Sequence, residues 1–187
     1  MSFEERKDFA RQVADLNRYG QALNQCETVD EVVSLSLEAI SLLLEMTEVT
    51  VHDVRDGTLR VRGSTAADRS AGSEPASEAL QAFETGEIVS VATDESPDGR
   101  AVLAVPEGVV DDVVTVIEVR SGRAGELGDE YVRPLEILAS HAATAISNIR
   151  SRERLERARQ DLETRKEMVE MYDRLLRHDI GNDLQVI

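Results

Sequence analysis

The sequence predicts an α+β domain followed by a long C-terminal helix of coiled-coil type. Three observations carry this. Two amphipathic stretches with capping-box spacing open the chain. Short β-branched runs separated by Gly, Asp and Ser turns fill its middle. From Asp129 onward no glycine occurs before Gly181.

Ser2 and Glu5 have capping-box spacing, and Phe9, Val13, Leu16 and Leu23 then fall on one helical face. Thr28 and Glu31 repeat the signal for a second helix. Its stripe of Val32, Leu35, Ala39 and Leu42 is widened by Val33, Leu37, Ile40 and Leu44, which predicts deep burial against a sheet. Residues 48–54 and 58–62 read as strands joined at Asp56-Gly57, a hairpin-turn dipeptide. Residues 64–74 are small and polar and read as a loop. A short helix over Pro75–Thr85 stops at Gly86, and Ile88–Val91 is a strand. Asp94–Gly99 reads as a turn, Arg100–Val105 and Val113–Arg120 as two more strands, and Gly122 and Gly125 as loop residues.

The last helix has Asp129 as its N-cap, Pro134 deeper than the ideal first turn, and a buried stripe of Leu135, Leu138, Ala142, Ile146 and Ile149. Spanning residues 135–187 it would be about 80 Å long, too long for a compact domain. Leu155, Leu162, Val169 and Leu176 recur every seven residues, with Ala158, Arg165 and Tyr172 three later. A lone helix leaves that seam in water, whereas a parallel homodimer buries it.

The formal net charge is −16. Residues 1–149 hold 12 basic and 28 acidic residues, while residues 150–187 hold 9 of each. The front part is therefore expected to repel nucleic acid and anionic membrane. No apolar run reaches the roughly 18 residues of a membrane span, and the first ten residues do not resemble a signal peptide. One cysteine excludes an intramolecular disulfide, and a cytoplasmic location follows as the expectation. Nineteen arginines stand against two lysines, Lys7 and Lys166. Abundant carboxylates with few lysines resemble proteins of halophilic organisms, where screening within about 3 Å at 1 M salt weakens self-repulsion.

The element order, with EALQAFETGEIVSV and the closing GELGDEYVRPLEILASHAATAISNIRSRERLER, resembles the GAF domain. The resemblance implies a central antiparallel sheet with flanking helices and a ligand-sized cavity over residues 1–150. Residues 151–173 would then form a signalling coiled coil, and residues 174–187 the start of a further domain.

That last stretch, RLLRHDIGNDLQVI, resembles the H-box of sensor histidine kinases, particularly those of halophilic archaea. The resemblance implies that His178 accepts a phosphoryl group, Asp179 acts as general base, and Asn182 orients water for dephosphorylating a response regulator. Gly181, Asn182 and Asp183 depart from the common family text, which has arginine, threonine and proline there. Physical chemistry agrees with these roles. Neutral imidazole is a nucleophile near neutral pH, an adjacent carboxylate can fix its tautomer and take its proton, and residues 178 and 182 lie one helical turn apart. The abrupt stop at Ile187, inside an apolar repeat, reads as a truncation. ATP and Mg2+ would belong to a kinase domain outside these residues, so this chain alone is expected to be inactive, with no cofactor of its own.

Other candidates read as structural. Cys26 precedes the pocket elements and reads as a small packed residue rather than a chromophore anchor. His52 and His141 lack companion ligands at metal or haem spacing. No phosphate-binding glycine pattern or cyclic-nucleotide GAF signature is visible, and the ligand stays unnamed. Two readings stand: the N-terminal sensory portion of a two-component sensor histidine kinase, or a non-enzymatic dimeric GAF signalling or transcription regulator.

Overall fold

The computed structural model describes the backbone of residues 3–93, 100–109, 112–122 and 127–183, and side chains within 13–92, 100–109, 112–122, 127–128 and 130–177. The expected turn at Asp94–Gly99, the loop residue Gly125, Ser2, and the side chains of Glu5 and Phe9 lie outside the described residues.

The elements are α1 (Phe3–Leu23), α2 (Val29–Leu43), β1 (Glu48–Arg55), β2 (Thr58–Ser64), α3 (Ser77–Thr85), β3 (Val89–Thr93), β4 (Arg100–Val109), β5 (Asp112–Ser121) and α4 (Asp129–Asp183). The strands form one antiparallel sheet in the order β2-β1-β5-β4-β3. The chain divides into two units, Met1–Ile149 and Arg150–Ile187.

Local chemistry sets the element ends. Thr28 Oγ1 accepts from the Glu31 N–H at 3.2 Å, as the capping spacing predicts. The Glu31 carboxylate reaches back one residue further than a standard capping box and accepts from the Glu27 N–H at 2.8 Å. The β1–β2 hairpin turns at Asp56 (φ 50°) and Gly57 (φ 71°). Two successive positive φ values give the primed turn that matches strand twist. Asp129 is the first helical residue of α4 rather than its cap, and Pro134 sits inside the helix.

Sheet alternation sorts the first unit into two cores. One face presents Val49, Val51, Leu103, Val105, Ile117 and Val119 to α1, α2 and the first part of α4, where Leu135, Leu138, Ala142, Ile146 and Ile149 are all buried. The other face presents Leu59, Ala104 and Val116 to Ala79 and Ala82 of the short α3. Two expectations need correction. Leu42 is 63% exposed and Val13 is also exposed. The buried stripe of α2 runs through Val29, Val32, Val33, Ser36, Ala39 and Ile40, so Leu42 falls on the opposite edge. Ser36 takes a place in that stripe because its hydroxyl donates to the Val32 carbonyl at 2.7 Å, which removes the cost of burying it.

In the second unit, every described side chain from 151 to 177 is exposed. Ion pairs one turn apart, such as Arg157–Glu153, Arg159–Glu163 and Lys166–Glu170, decorate the helix. Such exposed pairs add only slightly to helix stability. The leucine seam remains uncovered along this single chain, with Leu155, Leu162, Val169 and Leu176 between 60% and 71% exposed.

Candidate functional site

A buried histidine of β1 and two buried charged side chains of β5 converge on the α3 face of the sheet. Alternation along β5 sends Val116, Glu118 and Arg120 to that face, while Ile117 and Val119 enter the opposite core. His52 on β1 pairs in register with Val116. Its Nδ1 lies 3.2 Å from the Val116 carbonyl. A carbonyl can only accept, so Nδ1 carries the hydrogen and Nε2 is the acceptor nitrogen. Nε2 faces Glu118 Oε2 at 3.7 Å, with both side chains fully shut off from solvent.

Two arginines enclose the carboxylate. Arg120 Nε is 3.1 Å from Glu118 Oε1, and the Arg69 guanidinium is 3.8 Å from the same oxygen. Neither oxygen of Glu118 makes a hydrogen bond of good geometry among the described residues, nor does Arg120 Nε. The outer end of Arg120 is held by Asp68 at 3.3 and 3.5 Å, which keeps the Asp68 carboxyl below its usual range. Burial lowers the His52 pKa to about 4, and the positive charges of Arg69 and Arg120 push the same way, so the imidazole is neutral at pH 7. Burial raises the pKa of Glu118, against the pull of both arginines.

Arg69, Glu118 and Arg120 floor a cavity of about 360 Å3, bounded by Ser77 and Glu78 of α3 and by Arg100 and Val102 of β4. The cavity can hold a small polar molecule. Sequence reasoning assigned His52 a structural role and missed Glu118, Arg120 and Arg69. A signal existed: two charged residues two apart in VVTVIEVR, an otherwise apolar strand, must face the same side of the sheet.

The other candidates separate. Cys26 is half-buried, with its thiol pKa pushed up by burial and by Glu31, which disfavours the reactive thiolate. His141 packs against Gly20 of α1. Among the described residues, no group of three or more His, Cys, Asp or Glu side chains is placed to hold a metal ion, and no helix is long and apolar enough to cross a membrane. His178, Asp179 and Asn182 lie on the backbone of α4, and their side chains lie outside the described residues.

A family model described as GAF domain matches residues 28–148. Among solved structures, the GAF domain of an Acinetobacter phosphoenolpyruvate-protein phosphotransferase is similar at 16% identity and a TM-score of 0.64, covering 81% of this chain and 97% of that one. The GAF domain of a two-component sensor histidine kinase from Bacillus halodurans is similar at 14% identity and a TM-score of 0.59, covering 68% and 99%. That of the potassium sensor histidine kinase of Escherichia coli is similar at 17% identity and a TM-score of 0.57, covering 76% and 98%. No curated protein matches the sequence.

Proposed function

The chain belongs to the GAF-domain family, and from that premise we propose that it is the N-terminal sensory portion of a two-component sensor histidine kinase. The observation that carries this reading is the text RLLRHDIGNDLQVI at residues 174–187, which begins on the same helix, α4, that packs in the GAF core. Similar GAF domains occur in sensor histidine kinases and in a phosphotransferase of another kind. The domain by itself therefore leaves the output open, and the text of α4 is what supports the kinase reading.

In this reading residues 1–150 sense, residues 151–173 pair with a second copy as a signalling coiled coil, and residues 174–187 begin the phospho-acceptor domain. His178 would attack the γ-phosphorus of ATP on a catalytic domain, forming an N–P bond as the bond to the β,γ-bridging oxygen breaks and ADP leaves, with Mg2+ offsetting the charge of the phosphates. Asp179 takes the imidazole proton, and Asn182 orients the water that later dephosphorylates the response regulator. A ligand acts by binding one arrangement of the paired helices more tightly than another. The acidic first unit and the scarcity of lysine support a cytoplasm of high salt, as in halophiles.

The test is phosphoryl transfer in trans from a histidine kinase catalytic domain with labelled ATP. The wild-type chain should label, and His178→Gln should not. Label retained by His178→Gln overturns the assignment. A wild-type chain that never labels leaves the exposed seam of α4 as the main output element, which favours the non-enzymatic dimeric regulator.

A further inference from the structure

The cavity beneath α3 has two unfilled requirements of opposite sign. At its floor the Glu118 carboxylate is fully buried, with no hydrogen bond to either oxygen among the described residues. A buried acceptor in that state is costly, and a donor within the cavity would relieve it. At its wall Arg100 makes no ion pair among the described residues, whereas Arg120 is shared between Asp68 at 3.3 Å and Glu118 at 3.1 Å, and Arg69 also faces Glu118. The first turn of α3 lines the same space. Its N-cap, Ala76, has no side chain to accept from the free backbone N–H groups there. Glu78, hydrogen-bonded by the Ser77 hydroxyl at 2.9 Å, is the remaining charge on the lining.

Setting aside Arg120 and its partner Asp68, two arginines (Arg69 and Arg100) face two carboxylates (Glu78 and Glu118). A simple anion or a simple cation would unbalance such a site. A molecule that carries both charges would not. We propose that this cavity binds a free α-amino acid, its carboxylate held by Arg100 and the first turn of α3, and its ammonium group donating to Glu118. The inference rests on the sensory reading above and names the ligand class of that sensor. The ammonium group would bring well-aligned donors to a carboxylate whose two neighbouring guanidiniums make no hydrogen bond to it and which burial discourages from ionising. Val91 and Val102 supply an apolar wall for a side chain. The cavity volume of about 360 Å3 suits a compact amino acid and not a nucleotide or a tetrapyrrole.

The experiment is a thermal-shift and calorimetry screen of the twenty common L-amino acids against the whole chain, each hit compared with its deaminated analogue (propionate for alanine, succinate for aspartate). At least one amino acid should bind about tenfold or more tightly than its analogue, because the analogue leaves Glu118 without its donor. Arg100→Ala should weaken that binding by about tenfold or more while leaving the melting temperature of the unliganded chain in place, since Arg100 supports no other described contact. Glu118→Gln should narrow the gap between amino acid and analogue. No binding by any of the twenty, or equal binding of amino acid and analogue, overturns the proposal. The readout needs no kinase domain, so failure here leaves His178 labelling intact, and failure of labelling leaves the binding result intact.

Discussion

His52 Nε2 and Glu118 Oε2 face each other at 3.7 Å inside the protein, an acceptor nitrogen against a carboxylate. Arg69 and Arg120 border the pair, with Asp68 and Glu78 beyond them. Folded His52 stays neutral down to about pH 4, while an unfolded histidine takes up its proton near 6.5. The stabilisation from keeping it neutral is complete above 6.5 and is lost as the pH falls toward 4. Glu118, with its pKa raised, works in the opposite sense: it costs stability as the pH rises above 4.5. A non-titrating His52→Asn variant isolates the first effect. Between about pH 7 and pH 4 the wild type should lose roughly 3 kcal/mol more unfolding free energy than His52→Asn, measured by urea denaturation. Parallel pH profiles for the two proteins would show that the imidazole is not held neutral.

The α1 helix passes so close to His141 of α4 that a Cβ built on Gly20 would lie 2.5 Å from the imidazole Nε2. In an isolated helix, Gly→Ala stabilises by about 1 kcal/mol. Here the clash should reverse the sign, and Gly20→Ala should destabilise by about 1–3 kcal/mol. Removing the ring relieves the conflict, so in a His141→Ala background the same substitution should be neutral or stabilising. A double-mutant cycle of thermal unfolding measures that coupling. Additive effects would place the ring elsewhere.

Much of this architecture was legible because it is local. Thr28 and Glu31 announce a helix start, Asp56-Gly57 a hairpin, and Leu135 through Ile149 a buried stripe, each through chemistry confined to neighbouring residues. Leu42 was misplaced because a helix as apolar as α2 offers several stripes, and only the sheet and α1 decide which is covered. The His52–Glu118–Arg69–Arg120 cluster escaped notice for a related reason. Its members come from two strands and a loop, and sequence spacing carries no information about the register that joins His52 to Val116. His178, Asp179 and Asn182 stand the other way round. Their text is distinctive, and their spacing alone places 178 and 182 on one helical face.

The seam of the second unit makes the most direct prediction about assembly. Leu155, Leu162, Val169 and Leu176 are spaced by heptads and each is at least 60% exposed along the single chain. In the proposed parallel dimer a second helix covers these four aliphatic side chains, which line up along a helix whose other positions are mostly charged. Leu162 occupies an inner turn of that seam, with Arg165 already a polar interruption one step on. A second buried guanidinium next to it, twice over in a symmetric pair, adds like-charge repulsion to the loss of apolar contact. Leu162→Arg should therefore weaken the dimer by about 100-fold or more and shift the mass in light scattering toward that of one chain. The circular dichroism of the first unit should stay, because its core draws on no residue beyond Ile149. A variant that remains dimeric would place the interface on another surface and leave the seam without its assigned role.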